Sequence, residues 1–157
     1  MDQGKRRILL ITLLVFGGLF CFYKLADMVS PGSYAHAEEY ELDYSEAEVI
    51  NAINKFKEDN PDLAGPSFLD DGKTNSTDHW YNIYFYYKDE NKIVFTWTRP
   101  SEKNKTTFAF VSLNDGLTLG NWKDVNDDFG FSENRMVKRT FEERILKPLE
   151  KQLTHGR

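Results

Sequence analysis

Two runs of aromatic and β-branched residues constrain the fold of this 157-residue chain more than any other feature. Residues 80–88 and 92–99 have the composition of β-strands, and only three residues, ending in Asn91, separate them. A gap of this length predicts a hairpin with a three-residue loop and a left-handed conformation at Asn91. Its register would pair Lys88 with Lys92, which decides on which side of the sheet every other side chain lies.

This register predicts two sheet faces, because successive side chains of a strand point to opposite sides. The first face would carry Tyr81, Ile83, Phe85, Tyr87, Ile93, Phe95, Trp97 and Arg99. The second face would carry Trp80, Asn82, Tyr84, Tyr86, Val94, Thr96 and Thr98. A third strand at 106–113 adds Phe108 and Phe110 to the first face and Leu113 to the second. A glycine-containing turn then leads into a short fourth strand at 117–122.

Two helices flank the predicted strands. Ser45 and Glu48 form an S-x-x-E capping box before apolar residues at helical spacing, which predicts a helix over 46–59. Apolar residues at every fourth position predict a second helix over 133–153, with a kink or an early end at Pro148. The order of helix, three- or four-stranded antiparallel meander and C-terminal helix defines an α+β domain.

The N-terminal part of the chain is organised around an apolar run. Residues 1–7 are a basic flank, residues 8–26 are apolar enough to cross a bilayer as a transmembrane signal anchor, and residues 27–44 are an acidic tether without helical or strand period. The α+β domain would cover 45–153, and 154–157 would be a frayed tail. Because positive charge beside a span stays in the cytoplasm, we expect a single-pass membrane protein whose domain is periplasmic or extracellular.

Two other fates of the N-terminal segment are open. A cleaved signal peptide needs small residues soon after the apolar run, and the pair Ala35 and Ala37 lies farther away than a cleavage region usually extends. A lipid attached at Cys21 would follow a small residue, whereas Phe20 is bulky. An uncleaved anchor in the lipid bilayer is therefore the prediction.

Residues suited to catalysis are sparse. His79 is the one histidine inside the predicted domain, and Asp78, Asp70 and Asp71 are the carboxylates near it in sequence. No nucleophile motif, metalloprotease motif, phosphate-binding loop or dinucleotide fingerprint accompanies them. We therefore predict no catalytic residue and no cofactor, and keep a hydrolase or metal-dependent enzyme around His79 as an alternative.

One acidic segment resembles part of a calcium-binding loop. Asp124, Asn126 and Asp128 follow the D-x-N-x-D pattern, but Phe129 and Arg135 stand where an EF-hand loop needs its glycine and its bidentate glutamate. Asx turns and the dipole of the following helix explain such a segment without an ion. No metal is predicted, and these three residues are the candidates if one binds.

Charge divides the predicted domain. Residues 38–78 contain twelve acidic and three basic residues, and residues 135–157 contain seven basic and three acidic ones. Either the two ends are solvated and partly attract each other, or the acidic end meets a basic partner. The overall acidity argues against nucleic acid as a partner, because nucleic acid requires a clustered basic face.

The second sheet face suggests a function, since it is too apolar to be left bare. Either the two helices cover opposite faces of the sheet, or one face meets a partner. Tyrosine-rich faces suit protein recognition, so we expect binding through Trp80, Tyr84, Tyr86, Thr96 and Thr98. By analogy of architecture, this is the sort of chain found among accessory subunits of bacterial envelope machines and immunity proteins. The other alternative is a small ligand-binding domain with an apolar cavity lined by Tyr84, Tyr86 and Trp97.

Overall fold

A strand that the sequence did not predict begins the fold. The computed structural model describes residues 34–155, and within them the residues from His36 onward form one compact unit. Glu38–Leu42 forms β1, which pairs antiparallel with residues 106–110. The expectation that residues 27–44 have no strand period is therefore wrong for β1. Leu42 is buried and Tyr40 packs against the core, while the glutamates between and beside them stay more exposed.

The sheet has five antiparallel strands rather than the three or four expected. The remaining elements are α1 (Glu46–Asp59), β2 (Tyr81–Tyr87), β3 (Lys92–Glu102), β4 (Lys105–Asp115), β5 (Trp122–Asp124), α2 (Phe131–Phe141) and α3 (Lys147–His155). The strand order is β1-β4-β3-β2, and β5 pairs with the C-terminal half of β4 on the same side as β1. The α+β class, the antiparallel sheet and the C-terminal helix are confirmed.

Helix α1 begins and ends at the predicted residues. Glu48 N donates to Ser45 Oγ over 3.4 Å, and Ser45 N donates to Glu48 Oε2 over 2.8 Å, so the capping box is complete. The helix stops before Pro61, as the restriction on residues preceding proline requires. Three residues of its apolar stripe are fully buried, namely Val49, Ile53 and Phe56.

The C-terminal helical segment continues past Pro148 instead of ending near it. A π-helical turn, Glu142–Leu146, joins α2 to α3, and Lys147 N donates to Glu142 O. Proline removes one hydrogen bond and crowds the carbonyl four residues earlier. The wider turn directly before Pro148 accommodates that change, so the chain stays helical to His155.

The hairpin register differs from the expected one by one residue. Tyr87, not Lys88, pairs with Lys92, so the loop has four residues, and Asn91 has the expected left-handed conformation (φ 53°). A one-residue slip turns every side chain of a strand to the other face. Phe95, Trp97 and Arg99 therefore lie on the face opposite to the one predicted for them.

A second irregularity moves Leu113. Opposite the bond between Phe95 and Thr96, strand β4 contains one extra residue, Val111, because Phe95 pairs with Ser112 and Thr96 with Phe110. Such a bulge shifts the alternation beyond it. Leu113 therefore joins the core with Phe108 and Phe110 instead of lying on the second face.

The predicted fourth strand at 117–122 is wrong in position, since β5 begins only at Trp122. The preceding turn is held by the buried Asn114, whose Nδ2 donates to Gly116 O (2.8 Å) and Thr118 O (3.0 Å) and whose Oδ1 accepts from Asn121 N (2.9 Å). Gly116 has φ 79°, which fits the predicted glycine turn. Residues 117–121 thus form a loop around one asparagine.

Both helical segments pack on the same face of the sheet, which we call the helix face. Its sheet residues include Ile83, Phe85, Tyr87, Val94, Phe108 and Phe110. From the helices, Phe56 of α1 meets Phe85 edge to face at 6.3 Å between ring centroids, and Phe141 of α2 stacks on Phe110 at 4.5 Å. The possibility that the helices cover opposite faces is therefore wrong.

The membrane anchor predicted at residues 8–26 lies outside the described residues, as do the basic flank and Cys21. Within residues 34–155, no helix is both long and apolar enough to cross a membrane.

Candidate functional site

The sheet face opposite the helices is rich in aromatic side chains, and we call it the aromatic face. Direct pairing places Tyr84 beside Phe95 and Asn82 beside Trp97, so these four residues share one side of the sheet. Trp122 of β5 pairs with Asn114 on the same side. No helix of the described residues covers this face, because α1, α2 and α3 all pack on the other one.

The rings of the aromatic face contact one another in a chain. Tyr84 stacks on Phe95 at 5.1 Å between centroids, and Trp122 meets Phe95 edge to face at 6.0 Å. Trp80 meets Trp97 at 6.4 Å, also edge to face. Such contacts hold aromatic side chains in fixed orientations, so the surface they form is already ordered before any partner arrives.

Polar groups lie among these rings. Arg99 lies over the Trp97 ring with its guanidinium carbon 5.3 Å from the centroid, and its Nη2 lies 4.0 Å from Glu39 Oε1 of β1. Tyr86 donates its hydroxyl hydrogen to Asn91 Oδ1 over 2.7 Å. Burial, with the negative charge of Asp71 as a smaller cause, raises the pKa of Tyr84, so this phenol stays protonated and able to donate.

The five residues predicted to bind a partner do not share one face. Trp80, Tyr84 and Tyr86 are half-buried and belong to the aromatic face. Thr96 and Thr98 are fully buried on the helix face, where Thr96 Oγ1 donates to Ile83 O (2.9 Å) and Thr98 Oγ1 to Glu46 Oε1 (3.3 Å). The grouping of these threonines with the tyrosines is wrong, and its cause is the one-residue slip in the hairpin.

The inner residues of the aromatic face were not predicted from the sequence. Phe95, Trp97 and Arg99 were assigned to the first face, and Trp122 was treated as the end of a strand. The alternation of side chains within residues 92–99 was visible in the sequence. Which of these side chains share a face with which side chains of β2, however, depends on the length of the hairpin loop. A four-residue loop ending in a left-handed Asn91 would have given the observed faces.

The carboxylates of the alternative enzyme hypothesis have separate structural contacts. Asp71 Oδ2 forms a close ion pair with Lys57 of α1, and its Oδ1 accepts from Tyr84 N over 2.9 Å. Asp78 Oδ1 accepts from Trp80 N over 3.3 Å, and this hydrogen bond lowers the pKa of Asp78. His79 is exposed, with its ring 6.1 Å from that of Trp80. Asp71 thus forms an ion pair between two elements and Asp78 stabilises a turn, so both contacts belong to local structure.

The residues of the partial calcium motif hold the N-terminal strand in place. Asn126 has a left-handed conformation (φ 66°), and its Nδ2 donates to His36 O (3.0 Å) and Glu38 Oε2 (2.9 Å). Its Oδ1 accepts from Asn134 Nδ2 over 2.8 Å. Asp128 Oδ2 accepts from Asp124 N over 2.8 Å, and burial together with the charge of Asp128 raises the pKa of Asp124. Among residues 34–155, no three His, Cys, Asp or Glu side chains converge as a metal site.

The acidic first part of the domain is partly neutralised within the fold. Glu38 of β1 pairs with Lys138 of α2 at 3.0 Å. Arg139 pairs with Glu143 at 2.9 Å, the i,i+4 spacing at which opposite charges meet on a helix. Lys88 pairs with Asp62 at 3.0 Å, but both side chains are mostly exposed, so this bridge contributes little to stability.

The residues of the proposed apolar cavity, Tyr84, Tyr86 and Trp97, do share the aromatic face. A groove of about 430 Å³ lies elsewhere, between α1 and α3, and its lining includes Tyr44, Ala52, Gln152 and Leu153.

Comparisons with protein-family models, with curated proteins and with solved structures find no match for this chain. A function is therefore inferred from the residues of the chain itself.

Proposed function

We propose that this chain is a membrane-anchored, extracytoplasmic protein-interaction domain that binds another protein through its aromatic face. The observation that carries the proposal is the position of the helices, since both helical segments lie on one side of the sheet. The other side carries aromatic side chains that no described helix covers. Trp97 among them is 1% exposed, and the half-buried ones are Trp80, Tyr84, Tyr86, Phe95 and Trp122. Large aromatic faces of this kind are a property of interaction sites.

The residue types of this face favour a protein as the partner. Tyrosine and tryptophan provide large contact areas while only two torsion angles per side chain lose freedom. The rings of Tyr84 and Phe95 are already stacked, which lowers the entropy lost on binding. Arg99 and Glu39 lie at the β1 side of the same surface, where they offer a partner one charge of each sign.

The anchor and the orientation of the domain are part of the same proposal. Residues 8–26 would hold the chain in the bilayer, and the basic residues before them would keep the N-terminus in the cytoplasm. A partner would then be a protein of the envelope or of its outer surroundings, which agrees with a role as an accessory subunit or an immunity-type binding protein.

Loss of the two tyrosines should abolish partner capture. We expect the full-length protein, tagged at its C-terminus and crosslinked in its native membrane, to retain a partner that the Tyr84→Ala, Tyr86→Ala double variant loses. Aromatic residues at the centre of interfaces commonly contribute about 2 kcal/mol or more each, so the combined loss should exceed tenfold in affinity. Quantitative mass spectrometry of the captured proteins measures it.

The matched control is Phe131→Ala, which removes an aromatic ring that is 82% exposed at the start of α2. Circular dichroism and thermal unfolding first establish that each variant is folded. Retention of the partner by the double variant, equal loss in the Phe131 control, or no partner on the wild-type protein would each overturn the proposal.

A further inference from the structure

A small pocket on the helix side of the sheet has features of a binding site. It lies between the β2–β3 hairpin and α2 and has a volume of about 220 Å³. Its lining consists of Tyr87, Glu90, Lys92, Leu113, Glu133, Met136, Val137 and Thr140. Ligand pockets for whole cofactors or drug-sized molecules occupy roughly 300–1,000 Å³, so this pocket has room for a single side chain or a molecule of similar size.

Tyr87 in the pocket wall has a buried hydroxyl group without a partner. The residue is 2% exposed, and its Oη has no hydrogen bond to any other described residue. An unsatisfied buried polar group costs about 1–3 kcal/mol, and a bound ligand with a hydrogen-bonding group would recover that cost. The guanidinium carbon of Arg144 lies 4.1 Å from the centroid of the Tyr87 ring, which fixes the ring in place.

The charged groups around the pocket leave one negative charge uncompensated. Arg144 is bound by Asp89 (2.7 Å) and Glu90 (3.1 Å), and Lys92 lies 3.2 Å from Glu90. These four side chains carry two positive and two negative charges. Glu133 in the first turn of α2 adds a third carboxylate and has no ion pair within residues 34–155. One added positive charge would therefore neutralise the group.

We propose that this pocket binds a monocationic alkylamine, the chemistry of a lysine side chain of the protein partner. The ammonium group would pair with the Glu133 carboxylate, and the aliphatic stem would pack on Leu113, Val137 and Met136. Tyr87 Oη has less than 1 Å² of accessible surface, so the ammonium group would donate to it on displacing the side chains that cover it. Burial raises the pKa of Tyr87, so its oxygen is a neutral phenol that accepts from the cation. Met136 is 64% exposed and unbranched, so it can close over the stem.

The methionines of the chain allow ligand binding in the pocket to be measured directly. The protein has three methionines, of which Met136 lines the pocket while Met1 and Met28 precede the described residues. The full-length protein, labelled with ¹³C at its methionine methyl groups and held in nanodiscs, is titrated with n-butylammonium chloride. Met1 and Met28 lie outside the pocket, so their signals report any non-specific effect of the probe, and Met136→Leu assigns the pocket signal.

We expect a saturable shift of the Met136 signal with n-butylammonium and binding about tenfold weaker or worse with n-butanol and with butyrate. Tyr87→Phe keeps the ring and removes the hydroxyl group, and Glu133→Gln removes the charge, so each should weaken butylammonium binding about tenfold. Tyr81→Phe, at the other end of β2 and outside the pocket lining, is the matched control and should leave the binding unchanged. A shift that does not saturate, equal binding of butyrate, or unchanged binding in both pocket variants would overturn the proposal.

The source of the cation is tested with two peptides, acetyl-Ala-Lys-Ala-amide and its norleucine counterpart. Binding of the lysine peptide but not of the norleucine peptide supports a protein side chain as the source. If butylammonium binds but neither peptide does, that part of the proposal is overturned. The protein source rests on the proposed function, but the pocket does not. Its titration uses no partner, so it succeeds or fails independently of the capture experiment on Tyr84 and Tyr86.

Discussion

Replacing Phe141 by alanine is expected to lower the free energy of unfolding by about 3–5 kcal/mol. This ring is fully buried where α2 meets the sheet, stacked on Phe110 at 4.5 Å and within 5.8 Å of the rings of Phe108 and Tyr40. Its removal leaves a cavity that aromatic neighbours cannot easily fill, because they are held by the sheet. Urea denaturation of the full-length protein, followed by tryptophan fluorescence, measures the loss.

Two further variants serve as references for the loss of stability in Phe141→Ala. Phe141→Leu keeps most of the volume and should cost clearly less than the alanine variant. Met136→Ala, at a side chain 64% exposed on the same helix, should change stability by less than about 0.5 kcal/mol. A Phe141→Ala variant as stable as Met136→Ala would contradict the packing of α2 on the sheet.

Replacing Asp71 by alanine is expected to cost about 3 kcal/mol, although this residue belongs to a surface loop. Its carboxylate pairs with Lys57 and accepts the amide hydrogen of Tyr84, so it joins α1 to the edge strand of the sheet. The Lys57 side chain is 13% exposed and lies over the Phe85 ring, with Nζ 4.8 Å from the centroid. Without Asp71, a largely buried ammonium group would lose its counter-charge, and breaking such a pair is costly.

The neighbouring Asp70 provides the control, because it is exposed and its side chain forms no ion pair within residues 34–155. Asp70→Ala should stay within about 0.5 kcal/mol of the wild type, and Asp71→Asn should fall between the two alanine variants since it keeps an acceptor for Tyr84 N. Equal stability of Asp70→Ala and Asp71→Ala in chemical denaturation would show that the contact between Lys57 and Asp71 does not stabilise the fold.

Local sequence signals were sufficient for much of the fold. The capping box at Ser45 and Glu48 fixed the start of α1, and the proline at 61 fixed its end. The positive φ of Asn91 and Gly116 follows from residue types that tolerate this conformation. Each of these features depends on residues within a few positions of one another, so one sequence is enough to predict them.

Features that depend on distant partners were not predictable in the same way. Strand β1 has only Tyr40 and Leu42 facing the core, which is too short a pattern to distinguish from a tether, and its partner strand lies more than sixty residues away. The faces of β3 depend on whether the hairpin loop has three or four residues, and both lengths fit the same sequence. The bulge at Val111 has no local signal that we could identify.

The candidate site shows the consequence of these limits. Trp80, Tyr84 and Tyr86 were placed on the correct face, since they lie in or directly before β2, the strand from which the faces were counted. Thr96 and Thr98 were placed wrongly, and Phe95 and Trp97 were missed, because their positions follow from the register. Both helical segments pack on one side of the sheet because of the way the whole core is assembled. The alternation of side chains along a single strand cannot predict this arrangement.

Site-specific photo-crosslinking tests the central claim, that the aromatic face is the binding surface, most directly. A p-benzoylphenylalanine residue is placed at position 86 on the aromatic face or at position 139 on the exposed side of α2, in the full chain expressed in its native cells. We predict a discrete crosslinked adduct from position 86 and none from position 139. An adduct from position 139 alone, or none from either position, would contradict the account.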